Sequence, residues 1–172
     1  LGVLRLGGET RNVVFNLALT LQELAREPEA FNYYSRYVRE FELSAEDRAE
    51  GQRRIDAMRP RLAVVTVEST PPGAAVRVDR RDLPVRGNTP LELALPAGEH
   101  TLYVWRDGYE EASAATTVTI GQTTRALLEL VGQAVSVQII APSNGHLTVD
   151  GEPVQPGRAI PLRPGSHVAR LQ

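Results

Sequence analysis

The sequence predicts an α+β chain, with a helical N-terminal third followed by short antiparallel strands. Two observations carry this. Apolar residues recur at helical spacing from Arg11 to Met58, then switch at Leu62 to strict alternation broken by Pro- and Gly-containing turns. The alternating stretch also begins again near residue 134, so one β unit is followed by a partial copy of itself. The predicted segments are 1–61, 62–131 and 132–172.

Residues 1–10 hold three glycines and no clear period, and read as a loop or the frayed end of an element. From Arg11, residues Val13, Val14, Leu17, Leu21 and Leu24 line one helical face. Pro28 stands in the first turn of a second helix, where a missing N–H costs nothing, and Phe31, Tyr34, Val38 and Phe41 form its apolar stripe. Ser44 caps a third helix with a thin stripe of Ala45, Ala49, Ile55 and Met58, and Pro60 ends it. Leu17-Ala18, Leu21, Ala30 and Tyr34 follow the large-and-small alternation that lets two antiparallel helices nest, and here the chain resembles a tetratricopeptide (TPR) repeat. Tyr37 replaces a usual small residue and no Pro closes the repeat. The resemblance implies a TPR-like helical hairpin with a capping helix at 44–59, either the last repeat of an array or a lone copy. Because one repeat cannot cover its own face, further repeats are expected upstream of Leu1.

Strands are predicted near residues 62–69, 74–79, 91–95, 101–106, 111–120 and 123–130. Pro71-Pro72-Gly73, Gly87-Asn88-Thr89-Pro90, Pro96-Ala97-Gly98 and Asp107-Gly108 separate them, the last as a type I′ hairpin turn. Ser69-x-Pro71-x-Gly73-Ala74-x-Val76-x-Val78-Asp79, Gly87-x-Thr89-Pro90, Leu95-x-x-Gly98-x-His100 and Gly108-Tyr109 resemble the PEGA domain family. That family is a small β-sandwich similar to carboxypeptidase-regulatory-like domains and is found in bacterial and archaeal envelope proteins. Pro72 stands where the family has Glu, and Arg80 where a Gly usually follows Val-Asp, so residues 80–83 are expected to form a wider loop. In the partial copy, Leu147-x-Val149-Asp150-Gly151 keeps that Gly, and Leu162-x-x-Gly165-x-His167 repeats the later motif.

Composition narrows the function classes. There is no cysteine, hence no disulfide or thiolate metal site. All 19 basic residues are arginine, and the net charge is −2. Ten basic residues face ten acidic in 1–61, six face nine in 62–131, and three face two in 132–172. No segment carries the basic excess of a nucleic-acid binder. No apolar run reaches the roughly 20 residues of a membrane-spanning helix. The chain starts at Leu1 and reads as a fragment.

No catalytic, cofactor-binding or metal site is predicted: nucleophile elbow, His-Glu-x-x-His and phosphate loop are all missing from the sequence. His100 and His167 share one position in the two copies, which favours a structural role. Asp79 with Asp82, and Asp150 with Glu152, supply too few oxygens for calcium. Arg77, Arg80, Arg81 and Arg86 cluster around the first hairpin, either as a solvated loop or as a receptor for an anionic polymer. Tyr103 and Trp105 leave their strand opposite Leu102 and Val104, either to stack on sugar rings or dock a module, or to pack on the helices or the second copy. Asn12 and Asn16 lie one turn apart on the first helix, either to pair with an extended peptide or only to satisfy helix groups.

Together these readings describe a non-enzymatic scaffold, and the PEGA resemblance implies a setting in the bacterial cell envelope, periplasmic or at the surface. The helical part binds a protein or peptide, and the β-sandwich anchors or spaces it. The alternatives are a carbohydrate- or peptidoglycan-binding module centred on Tyr103 and Trp105, a regulatory tail of a larger enzyme such as a kinase, and a plain spacer.

Overall fold

A computed structural model describes residues 10–142 and 145–172. Most of the stretch read as an N-terminal loop, and Ser143 and Asn144, lie outside the described residues. Three helices come first: α1 (Arg11–Glu23), α2 (Glu27–Glu40) and α3 (Ala45–Met58). The Thr10 hydroxyl accepts the Val13 N–H and the Ser44 hydroxyl accepts the Asp47 N–H, each taking up an otherwise orphaned donor. Pro28 sits in the first turn of α2, and a single 3-10 turn (Arg59–Arg61) around Pro60 ends α3.

The helical faces differ from the expected ones. In α1 the buried stripe is Val14, Ala18 and Leu21, while Val13 and Leu24 are 52% and 63% exposed. In α2 it is Ala30, Phe31, Tyr34 and Tyr37; Val38 and Phe41 are only half-buried. In α3 it is Gly51, Ile55 and Met58, with Ala45 and Ala49 exposed. Gly51 explains the last shift: a Cβ there would lie 2.7 Å from a Val38 methyl, so only glycine lets α3 cross α2 this closely. The crossing moves the contact away from the alanines.

Two sheets follow. The first has β4 (Leu91–Leu95), β1 (Ala63–Thr70) and β7 (Thr123–Glu129) in that order. The second is β3 (Gly87–Asn88), β2 (Ala75–Val78), β5 (Gly98–Trp105) and β6 (Ala112–Val118). Every pairing is antiparallel except β1 with β7, which is parallel from Val64↔Thr123 to Thr70↔Glu129. The second sheet is antiparallel throughout, as expected, and the first is mixed through its one parallel pair. The turn around Gly121 carries the chain from one sheet to the other instead of closing a hairpin within one.

Val65, Val67, Leu91, Leu93 and Leu95 face Val76, Val78, Leu102, Val104 and Val118 across the sandwich core. The opposite face of β1 and β4 offers Val64 and Ala94 to a second core made with Phe31, Tyr34, Ile55 and Met58. The layers thus run helices, sheet, sheet. β4 is an edge strand, and its outward backbone is met by one side chain. Asn32 Nδ2 donates to the Ala94 carbonyl at 3.0 Å, and Asn32 Oδ1 accepts the Ala94 N–H at 2.8 Å. The amide does what a further strand would do. Beside it, Arg59 donates two bonds to the Glu92 carboxylate, at 3.1 and 2.8 Å.

The two Pro-containing motifs turn out to be one polar joint. The Ser69 hydroxyl donates to the Pro71 carbonyl, so the Thr89 hydroxyl donates to Ser69 Oγ and its oxygen accepts the Ala74 N–H at 3.0 Å. Ser69 and Thr89 are both buried, and every donor in the joint is used. The loop 79–86 is wide, as the Arg80 substitution implies. Asp107-Gly108 is not a type I′ turn: only Gly108 has positive φ, and the turn closes by the Tyr109 N–H to Arg106 carbonyl bond.

In residues 135–172, β8 (Val135–Gln138) pairs with β11 (Ala159–Leu162), and β9 (Leu147–Val149) lies between β10 (Glu152–Val154) and β12 (Ala169–Leu171). This is the order of β1 with β4 and of β3-β2-β5. Asp150 and Gly151 both take positive φ and make the tight β9–β10 hairpin that Arg80 denies the first unit. Among the described residues nothing stands where β6 and β7 stand in the first unit. Val135 and Leu171 are accordingly 57% and 50% exposed, whereas Val65 and Val104 are fully buried.

Replacing Thr89 by Val removes one hydroxyl and strands the Ala74 N–H in the core. The expected loss is about 1–3 kcal/mol of unfolding free energy, read from urea denaturation with an unchanged m-value.

Candidate functional site

Asn12, Phe15 and Asn16 occupy consecutive ridge positions of α1, and Asp47 and Glu50 stand one turn apart on α3. With Arg11 and Tyr37 they line a cleft of about 380 Å³. Its floor is aromatic. Phe15 meets Tyr34 edge-on at 5.6 Å and Tyr37 at 5.0 Å between ring centroids. Arg54 lies 5.9 Å from the centre of the Phe15 ring and 2.7 Å from Glu50 Oε1. The bond from Arg53, with that from Arg54, holds the Glu50 carboxyl below its ordinary value. Burial pushes the Tyr37 hydroxyl up, and the Asp47 charge adds to it. Asn12 and Asn16 are exposed, and neither amide is bonded within the described residues. The cleft therefore presents two amides unbonded among the described residues, two acids and a ring floor. The acids across the cleft from the asparagines, Asp47 and Glu50, come from a later helix; the only sequence signal was their i, i+3 spacing.

Tyr103 and Trp105 do point away from the sandwich core, and each is met by an arginine. Arg77, paired with Tyr103 in the β2–β5 register, places its guanidinium 3.9 Å from the centre of the Trp105 ring. Arg81 lies 4.3 Å from that of Tyr103 and 2.7 Å from Glu111. Cation–π contacts thus occupy ring surface that a sugar would need. The arginine cluster is dispersed in the same way: Arg80 bonds Asp82, while Arg77 and Arg81 serve the two rings.

The two repeat-related histidines make one device twice. His100 Nδ1 lies 2.9 Å from the Asp79 carboxylate and Nε2 lies 2.8 Å from the Pro96 carbonyl. His167 lies 2.6 Å from Asp150 and 2.7 Å from the Arg163 carbonyl. Each Asp sits at positive φ and also accepts a backbone N–H, from Thr101 or from Val168. Both ring nitrogens face acceptors, and only the imidazolium has two N–H groups to give. Burial works against the His100 charge, but the Pro96 carbonyl and the Asp79 carboxylate outweigh it and raise its pKa. For His167 the Asp150 bond, then the Arg163 carbonyl, does the same. Among the described residues no cluster of three or more His, Asp or Glu could hold a metal, and no helix is long and apolar enough to cross a membrane.

A raised histidine pKa stabilises the fold fully below the unfolded value near 6.5, and the benefit is lost as pH rises through the folded value. The urea midpoint should therefore fall between pH 5.5 and pH 8.5. His100→Gln should flatten that fall, by under about 1 kcal/mol for a partly exposed pair.

Comparison with known proteins adds an identification for the β unit. No curated protein matches the chain. Among solved structures, one described as the Bacillus anthracis TIE protein is similar over 65% of this chain, with 16% identity and a TM-score of 0.38. The matched part is 28% of that structure's length, so this chain spans well under two thirds of it. The family model for the PEGA domain matches residues 62–133, which hold both sheets of the first sandwich: this stretch of the chain is a PEGA domain.

Proposed function

We propose that this chain is a non-enzymatic interaction module of the bacterial cell envelope, in which the α1–α3 cleft captures an extended peptide segment of a protein partner. The PEGA domain serves as its rigid mount, and its presence supports an extracytoplasmic setting. The observation that carries the reading is the pair of amides of Asn12 and Asn16 on the cleft wall, unbonded among the described residues. Side chains four apart on a helix stand about 5–6 Å apart. Alternate residues of an extended chain repeat every ~6.7 Å. Both amides can therefore bond successive outward peptide groups of one strand, each with a donor and an acceptor. The TPR-like sequence of α1 and α2 supports the same use of this face.

The test is affinity selection from a random decapeptide library, followed by titration of the selected peptides. The double substitution Asn12→Ala with Asn16→Ala should weaken binding at least about tenfold, since it removes bonds worth roughly 1 kcal/mol each, with melting unchanged. Trp105→Ala should leave peptide binding intact. Peptide binding indifferent to the asparagines, or polysaccharide binding lost in Trp105→Ala, would move the function to the PEGA domain.

A further inference from the structure

A different cleft, sharing no residue with the first, opens where α2 and α3 meet the β4 edge of the sheet. Its volume is about 320 Å³. The floor is apolar, made by Val38, Ile55, Pro90 and Leu91. The rim carries Ser35, Arg39, Arg48, Gln52 and Glu92.

The charges of this rim do not cancel. Glu92 is committed to Arg59 through two bonds, and Glu40 is shared by Arg36 and Arg39. Among the residues that line the cleft, two guanidiniums, Arg39 and Arg48, thus stand against one carboxylate, Glu92, which Arg59 already holds. Arg48 has no carboxylate partner among the described residues; one of its nitrogens donates to the Val38 carbonyl at 2.7 Å, which fixes the head at the end of α2 and leaves its other donors unused. Arg39 is fixed from two sides. Glu40 holds one nitrogen at 2.7 Å, and the guanidinium lies against Gly87, where a Cβ would come within 2.8 Å of it. Gly87, first residue of the Gly-Asn-Thr-Pro turn, is thus the surface on which a helical arginine rests. Ser35 adds an unmet need: its hydroxyl is shielded from water and has no hydrogen-bond partner among the described residues. A rotation about χ1 toward a ligand oxygen would give it a partner.

We propose that this junction binds a small organic acid with an apolar tail. The carboxylate is held by Arg48 and Arg39, with the Ser35 hydroxyl turned to it, and the tail lies on Val38, Ile55 and Leu91. A planar carboxylate matches the guanidinium fork and neutralises the excess charge. The aliphatic floor gives the tail a place out of water. Because the walls come from both the helices and the PEGA domain, an occupant ties the two together and raises the melting temperature of the whole chain.

Octanoate and octanamide are titrated into the full chain by calorimetry and by amide NMR. Octanoate is expected to bind saturably, shifting signals of Ser35, Arg48, Ile55 and Leu91 and raising Tm, with octanamide at least about tenfold weaker. Arg48→Gln and, separately, Arg39→Gln should each weaken octanoate about tenfold or more, while Asn12→Ala leaves it unchanged. Equal binding of acid and amide, octanoate binding untouched by both arginine substitutions, or no saturable shift would overturn the proposal. A clear preference for octyl phosphate over octanoate would overturn the assignment of the head group.

Discussion

The structure depends on β1 being covered on both faces. Ala63, Val64 and Val65 are consecutive and all buried, which is possible in a strand only when each face has its own core. Val65 and Val67 belong to the sandwich, and Val64, with Ala94 beside it, belongs to the helices. A helical hairpin with one apolar face needs a surface to lie on, and here the surface is the back of a sheet. The small PEGA domain gains in the same contact, since it hides an outer face that water would otherwise reach. Asn32 and Arg59 then fix the angle of the two parts, because each reaches across the boundary to β4.

Much of this arrangement is legible in the sequence. The switch from helical spacing to alternation locates the boundary, and the Pro28, Ser44 and Pro60 signals place the helix ends. The missing Gly at Arg80 correctly implies the wide loop, and Gly151 the tight one. Other features depend on contacts that spacing does not encode. A period of two does not say which way a neighbouring strand runs, so the parallel β1–β7 pair was hidden. The apolar run from Leu62 to Val65 did signal a strand buried on both sides, but alternation further along obscured it. The α3 face was misjudged because Gly51, which sets the α2–α3 crossing, carries no hydrophobic signal of its own. Asp107-Gly108 has the composition of a tight hairpin turn, but a longer connection joins β5 to β6, so Asp107 has no reason to leave ordinary φ.

The candidate sites follow the same division. Asn12 and Asn16 could be singled out because two amides one turn apart have a recognisable geometry. Their cleft could not, since its other wall comes from α3. Asn32 carried no pattern at all, yet its amide stands in for a missing strand at β4. Tyr103 and Trp105 were correctly turned outward by the alternation. Arg77 and Arg81 then take them by cross-strand and loop contacts that a reading along one strand does not show. The equivalence of His100 and His167 was visible as a repeat, and only the fold reveals that each faces two acceptors, which raise its pKa.

The most direct test of the shared core is native-state hydrogen exchange across a urea series. If helices and sheet share one core, the amides of Phe31 and Tyr34 in α2 and of Val64 and Val65 in β1 will converge on a single opening free energy with a common urea slope. Opening of α2 at distinctly lower free energy, while β1 stays protected, would contradict the account and make the helical part an independently moving appendage of the PEGA domain.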